Sequence, residues 1–308
     1  MRVVSLIPAA TDIVASLGCG DRLVARSHEC DWPPEVTRLP VCTRSKLDLE
    51  CTSAQIDREV KALVGQALSI YEIDAPLLAA LEPDLIITQS QCHVCAVSLD
   101  DVEAAVGRLV RSAPRIVSLA PANLADILQD VARVAEALEV SSRGTTLVRS
   151  LQERMQAIAG SFATAEPRSR VACLEWIDPL MGSGNWIPEL VEIAGGVPLL
   201  GTAGRHSEWI SMPALASANP DVIVMMPCGF GIERTTREMG PLDRDPQWRA
   251  LAAVRNHECY IADGHHYFNR PGPRLVESAE ILSEILHPRA GKRHHEGSGW
   301  IKPELSAL

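Results

Sequence analysis

Arg2-Val3-Val4-Ser5-Leu6 and Glu82-Pro83-Asp84-Leu85-Ile86-Ile87-Thr88 return later in the chain as Arg170-Val171-Ala172-Cys173-Leu174 and Asn219-Pro220-Asp221-Val222-Ile223-Val224-Met225. Each opening run leads through a loop into a helical stretch that ends on glycine, Asp12 to Gly20 in one half and Glu189 to Gly196 in the other. A degenerate repeat of this kind describes two similar α/β lobes. Two lobes make a cleft, and a cleft is where a small molecule is expected to bind.

Outward from these runs, short apolar segments alternate with helical patterns, the signature of βαβ units. Strands are predicted at 2–7, Leu23–Arg26, 85–88 and Arg115–Leu119, then at Arg170–Trp176, 198–200, 222–226 and Cys259–Ala262. They show little polar alternation, as strands buried on both faces of a helix-covered parallel sheet do. The spacing of Leu124, Ile127, Leu128, Val131, Val134, Ala135 and Leu138 marks one amphipathic helix. A second follows at Ser141–Phe162, with Leu147, Leu151, Met155 and Ile158 on one face. At 1.5 Å per residue it spans about 30 Å, enough to join two lobes as a stiff rod.

The fold class is therefore α/β: two Rossmann-like lobes with parallel sheets, joined by a single long helix, with a ligand cleft between them. The expected divisions are an N-terminal lobe at 1–122 with an insertion near 44–74, a helical connection at 123–167 and a C-terminal lobe at 168–287. The segment 288–308 is rich in Gly, His and charge and reads as a mobile tail.

Composition narrows the function. The chain has 308 residues, of which 46% are hydrophobic, ample for sizeable cores. A net charge of -10 without a dense Lys/Arg stripe argues against a nucleic-acid partner. No apolar run approaches the ~20 residues of a membrane helix, so membrane insertion is not expected. The opening Met1-Arg2-Val3-Val4-Ser5-Leu6-Ile7-Pro8 reads as a core strand rather than a signal peptide, which leads to an expectation of cytoplasmic location, or periplasmic if a leader was removed. Nine scattered cysteines do not form a disulfide framework, and Cys19, Cys173 and Cys259 read as small core residues.

Ligands of open α/β sheets sit beyond the carboxyl ends of the strands. Only 4% of the chain is aromatic, yet Trp32, Trp176, Trp186, Trp209, Phe230, Tyr267 and Phe268 fall in or near such loops. Flat apolar walls with a few polar groups suit a large, flat, partly apolar ligand, and ligand contact is the leading reading of the set, with structural capping of the lobes as its alternative for some rings. The same loops offer Pro8, Ala9, His28, Gln91, His206, His266 and Arg270 as ligand contacts. Arg274 is a further rim candidate, with pairing to Glu277 or Glu280 as its alternative, and Gly182-Ser183-Gly184 permits close backbone approach.

Several stretches carry a family resemblance: Ser5-Leu6-Ile7-Pro8-Ala9-Ala10-Thr11-Asp12, Ser27-His28-Glu29-Cys30-Asp31-Trp32-Pro33-Pro34, the twin Pro-Asp strands and Asn269-Arg270-Pro271-Gly272-Pro273-Arg274. Over about residues 1–287 the chain resembles the cobalamin-binding branch of the iron-siderophore/vitamin B12 substrate-binding proteins, the class III binding proteins. The resemblance implies two Rossmann-like lobes on one long helix, a corrinoid as ligand and no catalysis. It also implies a transporter permease as partner, docked through one exposed acid on each lobe. Glu72 or Asp74 would serve on the first lobe, but Ile210-Ser211-Met212-Pro213 supplies no acid on the second, and the chain shows neither an export signal nor a lipid anchor.

The loop Gln91-Cys92-His93-Val94-Cys95 keeps other readings open. Cys92, His93 and Cys95 offer thiolate and imidazole donors for a metal, and His28 with Cys30 completes such a set only if the neighbouring loop folds over. The same histidines, or His206, are candidates for an axial position on a corrinoid cobalt. Cys-x-x-Cys is also a redox dithiol in some settings, and a tight polar loop is the plainest reading. Three functions follow: a corrinoid carrier; a metal-chelate, haem or metal-ion binder of the same fold; and a thiol- or metal-dependent enzyme built on Cys92 and Cys95. No nucleophile elbow, H-E-x-x-H motif or Walker loop supports the last.

Overall fold

The apolar runs become short strands, buried throughout at Val3–Ser5, Leu85–Gln89, Val222–Met225 and Cys259–Ala262. The computed structural model describes residues 1–66, 69–90, 101–104, 107, 114–163, 167–290 and 293–303. The first half contains β1 (Val3–Ser5), β2 (Leu23–Arg26), β3 (Thr43–Ser45), β4 (Tyr71–Ile73), β5 (Leu85–Gln89) and β6 (Arg115–Leu119). Four of these form a parallel sheet in the order β2-β1-β5-β6. Successive strand residues project to opposite faces, and here both faces are apolar. Val3, Leu85, Ile87, Val117 and Leu119 pack with the helices Pro8–Ser16 and Leu124–Ala137 on one side. Val4, Ala25 and Ile86 pack with Leu78 and Val102 on the other. Each such side chain contributes about 1.5–3 kcal/mol on burial, which is why the strands carry no polar alternation.

The second half holds β7 (Arg170–Trp176), β8 (Met181–Gly182), β9 (Val197–Leu199), β10 (Val222–Met225), β11 (Cys259–Ala262) and β12 (Trp300–Ile301). Their sheet runs β12-β11-β10-β7-β8, with β9 also on β7. The inner pairs β7–β9, β7–β10 and β10–β11 are parallel, while β8 and β12 are antiparallel additions. The expected α/β fold with parallel sheets is borne out.

The repeat has a physical meaning. In the first half Asp84 Oδ2 accepts the Arg2 backbone N–H at 2.6 Å, and Arg2 Nε donates to Leu81 O at 2.7 Å. In the second half Asp221 Oδ2 accepts the Arg170 N–H at 2.8 Å, and the Arg170 guanidinium donates to Ala218 O and Asn219 O at 2.6 and 3.1 Å. Each aspartate thus caps the start of the neighbouring parallel strand. The helices leading into these motifs match as well. Ala75–Leu81 and Met212–Ala218 each have seven residues and an early proline. Their N-caps, Asp74 and Ser211, accept from Leu77 N and Ala214 N. Both end in a left-handed residue, Glu82 at φ 42° and Asn219 at φ 44°.

The chain divides into two compact units: Met1–Cys51, Gln55–Pro121 and Ala125–Ser150 form one, and Thr52–Ala54, Ala122–Leu124 and Leu151–Leu308 the other. The helix Ser141–Phe162 runs from the first into the second at residue 151. The preceding helix differs from expectation. Leu124–Ala137 belongs to the core of the first unit through Val131, Val134, Ala135 and Ala137 rather than to a separate connection. It packs so tightly on Ser141–Phe162 that a Cβ at Gly144 would lie 2.4 Å from Ala135 Cβ.

The insertion folds as a β3–β4 antiparallel pair carrying the helix Ser53–Gly65. The supposed tail is the larger correction. Residues 293–303 are ordered onto the second unit: β12 pairs with β11, and Trp300 is 2% exposed with Nε1 donating to Glu284 Oε2 at 2.8 Å. Glu284 also accepts the backbone N–H groups of His294 and His295, so the polar composition that reads as a loose end is absorbed by one carboxylate.

Candidate functional site

The first unit builds its strand-end loop around Arg26 and Ser27. Arg26 Nη1 donates to the carbonyls of Ser27, His28 and Cys30 at 3.1, 3.4 and 2.9 Å, curling the chain after β2. Ser27 N is tied back to Ser5 O at 2.8 Å, which fixes the bend to the end of β1. Thr43, at the start of β3, accepts the His28 backbone N–H at 3.1 Å and lies 2.8 Å from His28 Nδ1. Tyr71 of β4 stands beside the imidazole with ring centres 5.5 Å apart, and its hydroxyl donates to Glu29 Oε1 at 3.3 Å. Burial, then the positive charge of Arg26, lowers the His28 pKa. A few residues on, Trp32 is 40% exposed.

Pro8 and Ala9 lie elsewhere than in a loop. They form the first turn of the helix Pro8–Ser16 and are buried, because proline at a helix start needs no N–H partner and the turn closes directly onto the sheet. Gln91, Cys92, His93 and Cys95 lie outside the described residues.

In the second unit the loop after β8 is held by backbone contact. A Cβ on Gly182 would meet Leu200 O at 2.2 Å, and one on Gly184 would meet Arg205 O at 2.3 Å. These glycines therefore serve chain-against-chain packing. That packing brings Ser207 to Glu175: Gly184 N donates to Ser207 Oγ at 2.9 Å, and Ser207 Oγ donates to Glu175 Oε2 at 2.6 Å. Trp209 pairs by an isolated bridge with Met181 and is 48% exposed. His206 is exposed, its Nδ1 2.8 Å from Ser207 O.

The aromatic set separates into two groups. Trp186, Phe230 and Phe268 are buried, and Trp186 Nε1 donates to Phe268 O at 2.9 Å, so these rings close the core. Trp176 is half-buried, its ring 5.1 Å from Phe230, over which the Arg234 guanidinium sits at 3.9 Å. Trp32 and Trp209 are the tryptophans that present large exposed surface.

The last loop, Gly264–Phe268, opens on Asp263, whose Oδ1 accepts the His266 N–H at 2.8 Å while Oδ2 lies 2.8 Å from His266 Nδ1. Burial alone would raise the Asp263 pKa, but its hydrogen bonds to His266 outweigh that and hold it below the usual carboxylate range. His265 Nε2 is 2.8 Å from Arg270 Nη2, and Arg270 is only 4% exposed. Asn269 Nδ2 ties the loop to Met226 O and Gly264 O, both at 3.1 Å. Arg274 pairs with Glu277 at 3.4 Å and lies 4.6 Å over the half-buried Tyr267 ring.

Among the described residues seven cysteines are outside any disulfide. Burial pushes Cys42, Cys173 and Cys259 up to about 12, which leaves them as unreactive thiols. Sequence reasoning missed Glu175 with Ser207, whose partnership depends on loop packing. It also missed Asp263, although an Asp three residues before His266 has the spacing of a cap.

A family model for periplasmic binding proteins matches residues 3–265. The chain belongs to this family. An ABC transporter substrate-binding lipoprotein of Bacillus subtilis, YvrC, is 20% identical over 93% of the chain and 80% of its own length. A vitamin B12-binding protein of Vibrio parahaemolyticus is 23% identical over 95% of the chain and 90% of its own. A solved periplasmic heme-binding protein from Pseudomonas aeruginosa superposes with a TM-score of 0.71 at 19% identity, covering 94% of both chains.

Family membership makes the chain a class III substrate-binding protein for a small molecule, and not an enzyme. It overturns the cytoplasmic expectation, since the family is periplasmic and the Bacillus relative is a lipoprotein. That expectation rested on the first residues forming a core strand. They do so as β1, but a buried strand carries no information about compartment. No described helix is long and apolar enough to cross a membrane.

Proposed function

We propose that this family member binds a corrinoid, a cobalamin-like molecule, through its strand-end loops and carries it as cargo for a transporter permease. The observation that carries the reading is the exposure of one large indole on each unit, Trp32 at 40% and Trp209 at 48%, in a chain with 4% aromatic residues. An indole half open to water gains about 2 kcal/mol when a flat apolar face covers it. Half-buried Trp176 and Tyr267 widen the apolar lining available for contact, and the amide-bearing rim of a corrin finds polar partners in Glu175 and His206. Similarity along nearly the whole length to a vitamin B12-binding protein supports the same ligand. Delivery to a permease is supported by the similarity to an ABC transporter substrate-binding lipoprotein.

Equilibrium titration of the purified protein with cyano-, hydroxo- and adenosylcobalamin, and with hemin in parallel, tests this. Saturable cobalamin binding that exceeds hemin binding is expected. Preference for hemin would transfer the site to the haem reading, which the Pseudomonas structural relative favours at the level of fold.

A further inference from the structure

The vitamin B12-binding and heme-binding relatives take macrocycles that differ at the rim. A corrin rim bears neutral carboxamides, whose N–H groups donate hydrogen bonds, whereas haem bears propionate carboxylates that only accept them. A carboxylate fixed in the wall of a binding site therefore tells the two apart in both directions. It accepts from the amide, and it repels the acid.

Glu175 is such a group. It is the penultimate residue of β7, and its carbonyl accepts the Cys228 N–H at 3.0 Å, which pins it beside the loop after β10. Ser207 Oγ accepts the Gly184 N–H at 2.9 Å and directs its one proton to Glu175 Oε2 at 2.6 Å, the length of a charge-assisted bond. Gly184 is locked in turn, since a Cβ there would meet Arg205 O at 2.3 Å. A chain of contacts that ends in backbone thus sets the carboxylate in one position. A carboxylate offers about four acceptor sites, so the Ser207 bond leaves capacity for donors on a cargo. The Glu175 side chain is half-buried rather than enclosed, and Ser207 lies two residues before the exposed Trp209. Among the other charges of these loops, Asp263 is held by His266, Arg270 by His265, and Arg234 over the Phe230 ring at 3.9 Å.

We propose that Glu175 selects the cargo by the charge of its rim, accepting from a carboxamide of the corrinoid and rejecting a macrocycle that presents a carboxylate at that place. The inference rests on the corrinoid reading and adds to it the group that discriminates. Replacing the carboxylate by a carboxamide of the same shape removes the repulsion and keeps one acceptor oxygen. Glutamine at this position therefore relaxes the selection while leaving a weaker bond to the amide.

Cyanocobalamin and its monocarboxylic acids, in each of which one rim carboxamide is hydrolysed to a carboxylate, are titrated calorimetrically into the wild-type protein and Glu175→Gln. Ring, metal and size stay the same across these ligands, so rim charge is the variable. The wild type is expected to bind at least one of the acids at least about tenfold more weakly than cyanocobalamin. Glu175→Gln should bring that acid within about threefold of cyanocobalamin, which itself binds the variant about threefold more weakly than the wild type. The wild-type comparison needs no variant, and circular dichroism checks that Glu175→Gln is folded. Equal affinity of the wild type for cyanocobalamin and every acid, or a penalty that survives in folded Glu175→Gln, overturns the selective role and leaves corrinoid binding standing. Failure of the wild type to bind cyanocobalamin removes the function itself and the selective role with it.

Discussion

Trp300→Ala probes whether the C-terminal segment is structural, and through it the base of the loop that carries His266. Trp300 is 2% exposed, its indole lies 5.6 Å from Tyr260, and the segment 297–300 is closed by the Gly297 N to Trp300 O hydrogen bond. Truncating a buried tryptophan to alanine costs about 3–5 kcal/mol. The lost Nε1 bond to Glu284 adds little, because that carboxylate keeps the His294 and His295 backbone donors. The segment also supports the functional loop directly. Gly299 O accepts the Asp263 N–H at 2.9 Å, and His295 stands edge-on to Tyr267 at 6.0 Å.

Loss of Trp300 is therefore expected to destabilise the second unit by about 3–5 kcal/mol and to raise amide exchange in both 259–269 and 293–303. Urea unfolding followed by far-ultraviolet circular dichroism, with hydrogen exchange read by mass spectrometry, makes both measurements. Trp300→Phe should recover most of the stability. A cost below about 1 kcal/mol, or exchange confined to 293–303, would refute the reasoning and restore the mobile tail.

Two further predictions follow from named contacts. The His295 pKa is raised, chiefly by its hydrogen bond to Glu280 at 3.2 Å, so its contribution is fully present below the unfolded value near 6.5 and is lost as pH rises through the raised folded value. Stability of wild type relative to His295→Gln should fall across that window, and a flat difference would exclude the contact as a source of pH dependence. Asp84→Ala and Asp221→Ala should each cost about 1–2 kcal/mol in chemical denaturation, since each removes the acceptor for the first N–H of the neighbouring strand; an effect at only one of them would break the equivalence of the two motifs.

Much of the scaffold is legible in the sequence because burial on both faces forces apolar runs. Four predicted strands, Leu23–Arg26, Arg115–Leu119, Arg170–Trp176 and Cys259–Ala262, have the bounds seen in the structure. The helix Ser141–Phe162 does too, since its three-and-four spacing extends over 22 residues. The antiparallel strands β8 and β12 were not legible: two residues carry no period, and β12 is preceded by Gly, His and Ser rather than by an apolar run.

The site is readable only in outline. Loop position places Trp186 and Trp209 alike, but Trp186 turns inward to Phe268 O while Trp209 is held outward from a bridge to Met181. The position of Arg270 is likewise set by tertiary packing, which puts its guanidinium beside His265 with 4% exposed. His28 is visible as a candidate, whereas the oxygen beside its Nδ1 comes from the distant Thr43, which no local pattern announces.

The central claim is that exposed indoles of this binding protein grip a corrinoid. The most direct measurement is the Kd for cyanocobalamin of the wild-type protein and of Trp209→Ala, by isothermal titration under identical conditions. Covering the exposed part of the indole contributes about 2 kcal/mol, so the account predicts binding by the wild type and affinity about 30-fold weaker in the variant. An unchanged Kd in Trp209→Ala, or a wild-type protein that does not bind cobalamin, would contradict it.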